Sequence, residues 1–334
     1  MQKNIAFYIS DHNMEHAIRT IPILQNILKI ADELTIHVKS GREQIDLIRN
    51  SIKASDHLYF YEMDMRDRDI DCWDEMAEEE AGFLKERKIG LIVSDICPWI
   101  FLAADELRVK SLLLGNYTWA ELCETEEEKE EYLSCYEQAS HIYIYDLHSP
   151  ELTGYGVEYD LVSMISCPYN MEEIESVNER LGRPLVFADV PMAGSIDVSE
   201  VPYHFVVTKG TPFLGENVTV LSEDTENFQD YVAASSYVIA YGSWNRMGEA
   251  LLANRKSAFL VKDDIPMSAQ MIEILKQREQ CIETGEDDLT QIDLLLNKLK
   301  EFAYSFEYDY YNSDYDLAKK ILFAYPEKRR RNRS

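Results

Sequence analysis

Residues 237–253 constrain the fold more than any other stretch of the sequence. The run Tyr237-Val238-Ile239-Ala240 is apolar and reads as a buried strand. Gly242-Ser243 ends it, and Ser243 or Asn245 then caps a helix that carries Met247, Leu251 and Leu252 inward. A buried strand that passes through a tight polar turn into an amphipathic helix belongs in a parallel sheet covered by helices. The same arrangement aims backbone N–H groups and the positive end of a helix dipole at one spot, where anions such as diphosphates bind. Glu249 lies one turn into the helix, within reach of a sugar hydroxyl beside such an anion. Taken alone, the stretch is also an ordinary strand-turn-helix connection, and that plainer reading is favoured until other motifs join it.

The pattern recurs along the chain. Strands are predicted at residues 5–10, 34–38, 58–61, 89–94, 111–114 and 143–147, with helices at 14–31, 42–52, 73–87, 98–107 and 121–139 between them. The second half repeats it, with strands at 185–189, 204–208, 218–221, 237–240 and 258–261 and helices at 171–181, 228–234, 267–277, 289–302 and 313–324. Short connections between alternating strands and helices predict doubly wound parallel sheets, and 334 residues suit two α/β domains. Between His148 and Tyr169 the pattern loosens around Pro150, Gly154, Gly156 and Pro168, so the domain boundary is placed there. Pro22 either kinks the first helix or marks its start. The aperiodic run 64–71, DMRDRDID, is expected to be a solvated surface loop. Asp95 ends the fourth strand, where it either faces a ligand at the carboxyl edge of the sheet or caps the helix opening at Pro98; both readings stand.

Charge narrows the partners. A formal net charge of -28 repels nucleic-acid backbones and anionic headgroups. The one compact basic run, residues 328–333, is expected to be a solvated tail. No apolar run is long enough to span a bilayer, and the first residues run straight into a strand, unlike a signal peptide. The six cysteines form no C-x-x-C pair and most lie in apolar contexts, which fits reduced thiols in a cytoplasmic protein and argues against a zinc site.

Three stretches, in order, carry a family resemblance. The run from Ser10 to Thr20, SDHNMEHAIRT, resembles the first loop of GT-B fold glycosyltransferases, in the S-G-H-G-x-G-H-x-x-R form of MurG-like proteins and of the glycosyltransferase-like region of arabinokinase-type proteins. The run Leu91-Ile92-Val93-Ser94-Asp95, followed by Gly115-Asn116-Tyr117-Thr118-Trp119, resembles the same group's "SD(I/L)-P" strand and "N-F-T-W" motif. The run from Tyr241 to Leu251, YGSWNRMGEAL, resembles the G-x-G-T-x-x-E-A-L loop that grips a nucleotide-sugar donor. The resemblance implies a GT-B architecture of two Rossmann-like domains facing across a cleft. Residues 1–155 would form the acceptor side and 156–311 the nucleotide-sugar side. Residues 312–325 would form a helix crossing back to the first domain, and 326–334 a basic tail. It further implies a metal-independent glycosyltransferase with no cofactor, using a UDP-linked donor sugar and a carbohydrate or small-molecule acceptor. Carried over by position, His16 or His12 would be the base and Asp95 would orient a histidine or an acceptor hydroxyl. Arg19, Asn116 and Trp119 would lie on the acceptor side. Gly242, Ser243, Asn245 and Arg246 would line the diphosphate, Glu249 would take ribose hydroxyls, and Gln270 would take a donor-sugar hydroxyl.

The chain also departs from the pattern. Asp11, Asn13 and Glu15 stand where the first loop has glycines, which removes close backbone approach and adds negative charge. Ala188-Asp189-Val190-Pro191 replaces a Gly-rich turn, and Trp244 and Met247 are bulkier than the usual donor-loop residues. These departures leave two alternatives beside transfer: a nucleotide-sugar hydrolase, or a catalytically degenerate binding protein on the same fold. A dehydrogenase is disfavoured because no G-x-G-x-x-G follows any strand.

Overall fold

The computed structural model describes residues 3–182, 184–222, 225 and 227–326. The chain divides into two compact units. One runs up to Ser163 and resumes at Ser313; the other is Met164–Asn312.

The first unit is built on seven parallel strands: β1 Asn4–Ile9, β2 Thr35–Ser40, β3 Leu58–Glu62, β4 Leu91–Asp95, β5 Lys110–Gly115, β6 His141–Tyr145 and β7 Tyr159–Val162. Their order is β3-β2-β1-β4-β5-β6-β7, and every pairing is parallel. The five connecting helices are α1 Met14–Ile30, α2 Arg42–Ser51, α3 Trp73–Arg87, α4 Ile100–Leu107 and α5 Glu126–Tyr136. β1 and β4 are buried along almost their whole length because helices cover both faces, so both read as continuous apolar runs. Chain order reverses between β1 and β4, so the loops that follow these strands flank a topological switch point.

The second unit holds β8 Leu185–Asp189, β9 Ile196–Asp197, β10 His204–Val207, β11 Phe213–Leu214, β12 Val218–Val220, β13 Tyr237–Tyr241, β14 Lys256–Leu260 and β15 Cys281–Thr284. Six form a parallel sheet ordered β12-β10-β8-β13-β14-β15, while β9 and β11 pair separately. Its helices are α6 Met171–Leu181, α7 Phe228–Ala234, α8 Trp244–Leu252, α9 Ser268–Gln277, α10 Glu286–Leu289 and α11 Ile292–Glu301. The switch point here lies between β8 and β13. The last helix, α12 Asp314–Ala324, belongs to the first unit. It packs on α1, where Asn26 donates to Asp314 at 2.9 Å, and Lys320 reaches Asp160 on β7 at 2.9 Å.

Several local expectations are corrected. The boundary lies after Ser163 and not at 155/156, because β7 extends the first sheet beside β6. β7 and β15 escaped the sequence pattern, since both are short edge strands and β7 exposes Tyr159 and Leu161. Pro22 neither starts nor ends α1, which runs from an Asn13 cap whose side chain accepts from Glu15 N at 2.9 Å. The charged run 64–71 lies at the surface as expected, with Asp64, Arg66, Arg68, Asp69 and Asp71 exposed, but Met65 and Asp67 turn inward and four side chains hold its backbone. Met65 N donates to Asp11 at 3.2 Å, Trp99 donates to Met65 O at 2.7 Å, Trp73 to Arg66 O at 3.3 Å and Tyr132 to Asp67 O at 3.1 Å. The basic run 328–333 lies outside the described residues. Among the described residues, no helix is long and apolar enough to cross a membrane.

Candidate active site

In the first unit, the two loops at the switch point bring four predicted residues into one buried cluster. His16 and Arg19 project from the first turns of α1, Asp95 ends β4, and Asn116 follows β5. His16 Nδ1 lies 2.9 Å from Asp95 Oδ1, and Arg19 Nε donates to Asp95 Oδ2 at 2.8 Å. A second Arg19 nitrogen contacts Asp95 Oδ1 more closely still, and Arg19 also donates to Asn116 at 3.1 Å. All four side chains are at least 98% buried. Asp95 therefore faces the buried histidine and arginine and does not cap α4, whose N-cap residue is Trp99.

The electrostatics follow from that closure. Burial alone would raise the Asp95 pKa, but Arg19 and His16 outweigh it and hold the carboxyl down at about 2. Burial pushes the His16 pKa down, with Asp95 opposing, so the imidazole is neutral near pH 7. Burial would likewise lower Arg19, yet Asp95 reverses the shift and keeps the cation firmly charged. Arg19 Nη2 also sits 2.8 Å from His16 Nδ1, and Tyr117 OH lies 3.4 Å from His16 Nε2. Both imidazole nitrogens thus face protein groups, and the cluster ties α1 to the ends of β4 and β5.

His12 is placed differently. It sits in the same loop but is exposed, with its ring edge-to-face on Trp119 at 4.9 Å. Its pKa is lowered by partial burial and by Arg68, so it too is neutral near pH 7. His12 and Trp119 line a cavity of about 320 Å³ with the 64–69 segment and Asp11. Asp67 belongs to this cavity and was missed from sequence. Its carboxylate is 4% exposed, yet neither oxygen has a hydrogen-bond partner. Burial pushes its pKa up to about 7; the Ser10 hydroxyl, Cys97 thiol and Trp119 indole approach it and temper the rise without reaching hydrogen-bond geometry.

In the second unit, Asp189 ends β8 and the helix α8 opens after β13, so the two flank the switch point. Ser243 caps α8 by accepting from Arg246 N at 3.3 Å. Gly242 is required by packing: a Cβ there would lie 2.8–2.9 Å from Ile272, Met247 and Ser268. That contact also sets α9, which carries the half-buried Gln270, beside the loop. Trp244 is 1% exposed. Asn245 is buried as well. Arg246 is held between two acids, donating from Nε to Asp189 at 2.5 Å and from Nη1 to Glu249 at 2.6 Å, with its guanidinium 4.8 Å from the Phe228 ring. Glu249 is raised by burial against the pull of Arg246. As placed, Arg246 and Glu249 satisfy each other, and Asp189 pairs with the same guanidinium from the end of β8.

Each unit therefore carries an Arg–Asp tie across its switch point, Arg19 with Asp95 and Arg246 with Asp189. Among the described residues, no three His, Cys, Asp or Glu side chains are grouped to hold a metal ion.

No protein-family model matches the chain, and no curated protein sequence does. Solved structures do. CalG4, the calicheamicin glycosyltransferase, shares 12% identity over 97% of this chain and 94% of its own, with a TM-score of 0.65. UGT89C1 of Arabidopsis thaliana, complexed with quercetin, shares 11% over 98% and 96%, with a TM-score of 0.65. SnogD from Streptomyces nogalater shares 13% over 98% and 100%, with a TM-score of 0.62. With a doubly wound parallel sheet in each unit and a structural match over nearly its whole length, the chain has the GT-B fold of these glycosyltransferases.

Proposed function

We propose that the protein is a metal-independent glycosyltransferase that moves a sugar from a nucleotide diphosphate, with UDP as the nucleotide, to a carbohydrate or small-molecule acceptor. The observation that carries this reading is the position of residues 242–249 at the switch point of the second sheet. There the capped N-terminus of α8 offers backbone amides and a positive dipole to a leaving diphosphate. Gly242, Ser243 and Asn245 lie at that terminus. Arg246 follows in the first turn, Glu249 is placed for ribose hydroxyls, and Gln270 is carried on the adjacent α9. On the acceptor side, His12 is the better base than His16. Its ring is exposed and neutral near pH 7, whereas both His16 nitrogens face Asp95, Arg19 or Tyr117.

One observation favours a second reading. Arg246 is already neutralised by Asp189 and Glu249, so a diphosphate must displace a carboxylate to use it. A scaffold that kept the fold and lost the chemistry would look the same. Calorimetry with UDP and UDP-glucose separates the two. Under the transferase reading both bind, and Arg246→Ala and Glu249→Ala each weaken binding by about tenfold or more. Absence of heat with every nucleotide and nucleotide sugar supports the scaffold. Intact UDP binding in both variants would overturn the donor-site assignment. Consumption of UDP-glucose with free sugar released and no acceptor added would instead mark hydrolysis.

A further inference from the structure

We infer that Asp189 sets the affinity of the donor site for diphosphates: its carboxylate stands in for a phosphate on the Arg246 guanidinium and competes with the ligand for it. The inference rests on the donor-site reading proposed above and adds which of the two acids must give way. Arg246 meets Asp189 through Nε at 2.5 Å and Glu249 through Nη1 at 2.6 Å. The two acids differ in place. Glu249 lies three residues on in the same helix, with its side chain 8% exposed, and is the inner partner. Asp189 comes from the end of β8, the strand beside β13 at the switch point, and its side chain is 21% exposed. The Asp189 contact is the more open of the two, and the one that belongs to a different element.

Arginine takes a phosphate or a carboxylate through paired N–H groups on one edge of its planar fork, so an acid on the Nε edge competes with a phosphate for the same groups. Asp189 is anchored for that competition. Its other oxygen accepts from the Thr208 hydroxyl at 2.7 Å; Thr208 lies 3.2 Å from the Thr211 hydroxyl, which in turn accepts from Val190 N at 3.2 Å. The guanidinium is anchored separately, 5.5 Å from the Phe187 ring and 4.8 Å from the Phe228 ring. Two rings and Glu249 therefore keep Arg246 in place when the Asp189 charge is removed. With it present, two carboxylates face one guanidinium, an acid excess that repels a diphosphate.

The test is calorimetry with UDP on the full chain near neutral pH. Asp189→Asn should bind UDP about tenfold more tightly than the natural chain. Asp189→Ser also lacks the charge and should show the same gain, so a folding defect in one variant does not decide the result. With Arg246 already changed to alanine, adding Asp189→Asn should alter UDP affinity by less than about threefold, because the group it would release is gone. A full gain in that background would overturn the action through Arg246. A tie that serves only the fold predicts the opposite sign: a lower Tm, with UDP binding unchanged or weaker. UDP bound by the natural chain and no more tightly by either single variant would overturn the inference and leave the donor site standing. UDP bound by the variants and not by the natural chain supports it, since Asp189 then silences the site. UDP bound by none of them overturns the donor-site reading and this inference with it.

Discussion

At the scale of single residues, two buried carboxylates of the first unit, Asp95 and Asp67, have opposite fates. Asp95 is met by a guanidinium and an imidazole and stays ionised; Asp67 is met by no cation and titrates near neutrality. Asp95 stability is fully present above its ordinary value of 3.8 and is lost as pH falls toward about 2. Asp95→Ala should leave Arg19 buried without a counter-ion and destabilise the first unit by about 3–5 kcal/mol, read as a lower chemical-denaturation midpoint. Asp67 behaves in reverse. Its folded-state pKa is raised, so ionising it costs stability, and the cost grows from pH 3.8 to about 7 and is constant above. Asp67→Asn should therefore raise Tm more at pH 8 than at pH 5; an equal shift at both values would show that the Asp67 pKa is not raised in the native state. The match to the first-loop motif singled out His16 and Arg19, but burial could not be read from it. No signal marked Asp67, because an aspartate in a run of alternating charges looks solvated until the loop is seen pinned by distant tryptophans.

At the scale of elements, strand-turn-helix units position each cluster, and close packing sets their tolerance. Gly242 meets Ile272, Met247 and Ser268, all side-chain ends. Gly242→Ala should displace these and tilt α8 against α9, with a cost of about 1–3 kcal/mol and a loss of UDP affinity if the donor loop is used. Gly90 is tighter, since a Cβ there would lie 2.4 Å from the Tyr325 hydroxyl. That hydroxyl accepts from Asn4 N at 3.3 Å, just after α12. Gly90→Ala should loosen the end of α12, seen as faster amide exchange along residues 314–324 than along α1. Helices α3, α6 and α7 were legible to the residue, because the spacing of their buried apolar residues is a local signal, joined in α6 by the Asn170 cap. Strand β7 was not, because half of it faces solvent and its apolar residues have no inward partner to explain them.

At the scale of the whole molecule, the excess of 61 acidic over 33 basic residues has a measurable consequence. Like-charge repulsion weakens compact states and is screened by salt over about 10 Å at 0.1 M. Tm should rise when NaCl increases from about 20 mM to about 300 mM, and a flat or falling response would show that local ion pairs dominate. The paired ties at the two switch points, Arg19–Asp95 and Arg246–Asp189, are buried or half-buried and should contribute little to that salt response.

The order of strands and helices, the doubly wound parallel class and the loops worth inspecting were all set by local sequence: apolar periods, caps and turn residues act over a few positions and survive out of context. The state of each functional side chain was decided only by tertiary structure. Whether His16 is open or enclosed, whether Arg246 is free or held by Asp189, and whether Asp67 is exposed or buried all depend on residues 57 to 79 positions away, or on an indole from another loop. Burial and charge pairing are properties of neighbours in space, and one-dimensional spacing does not contain them.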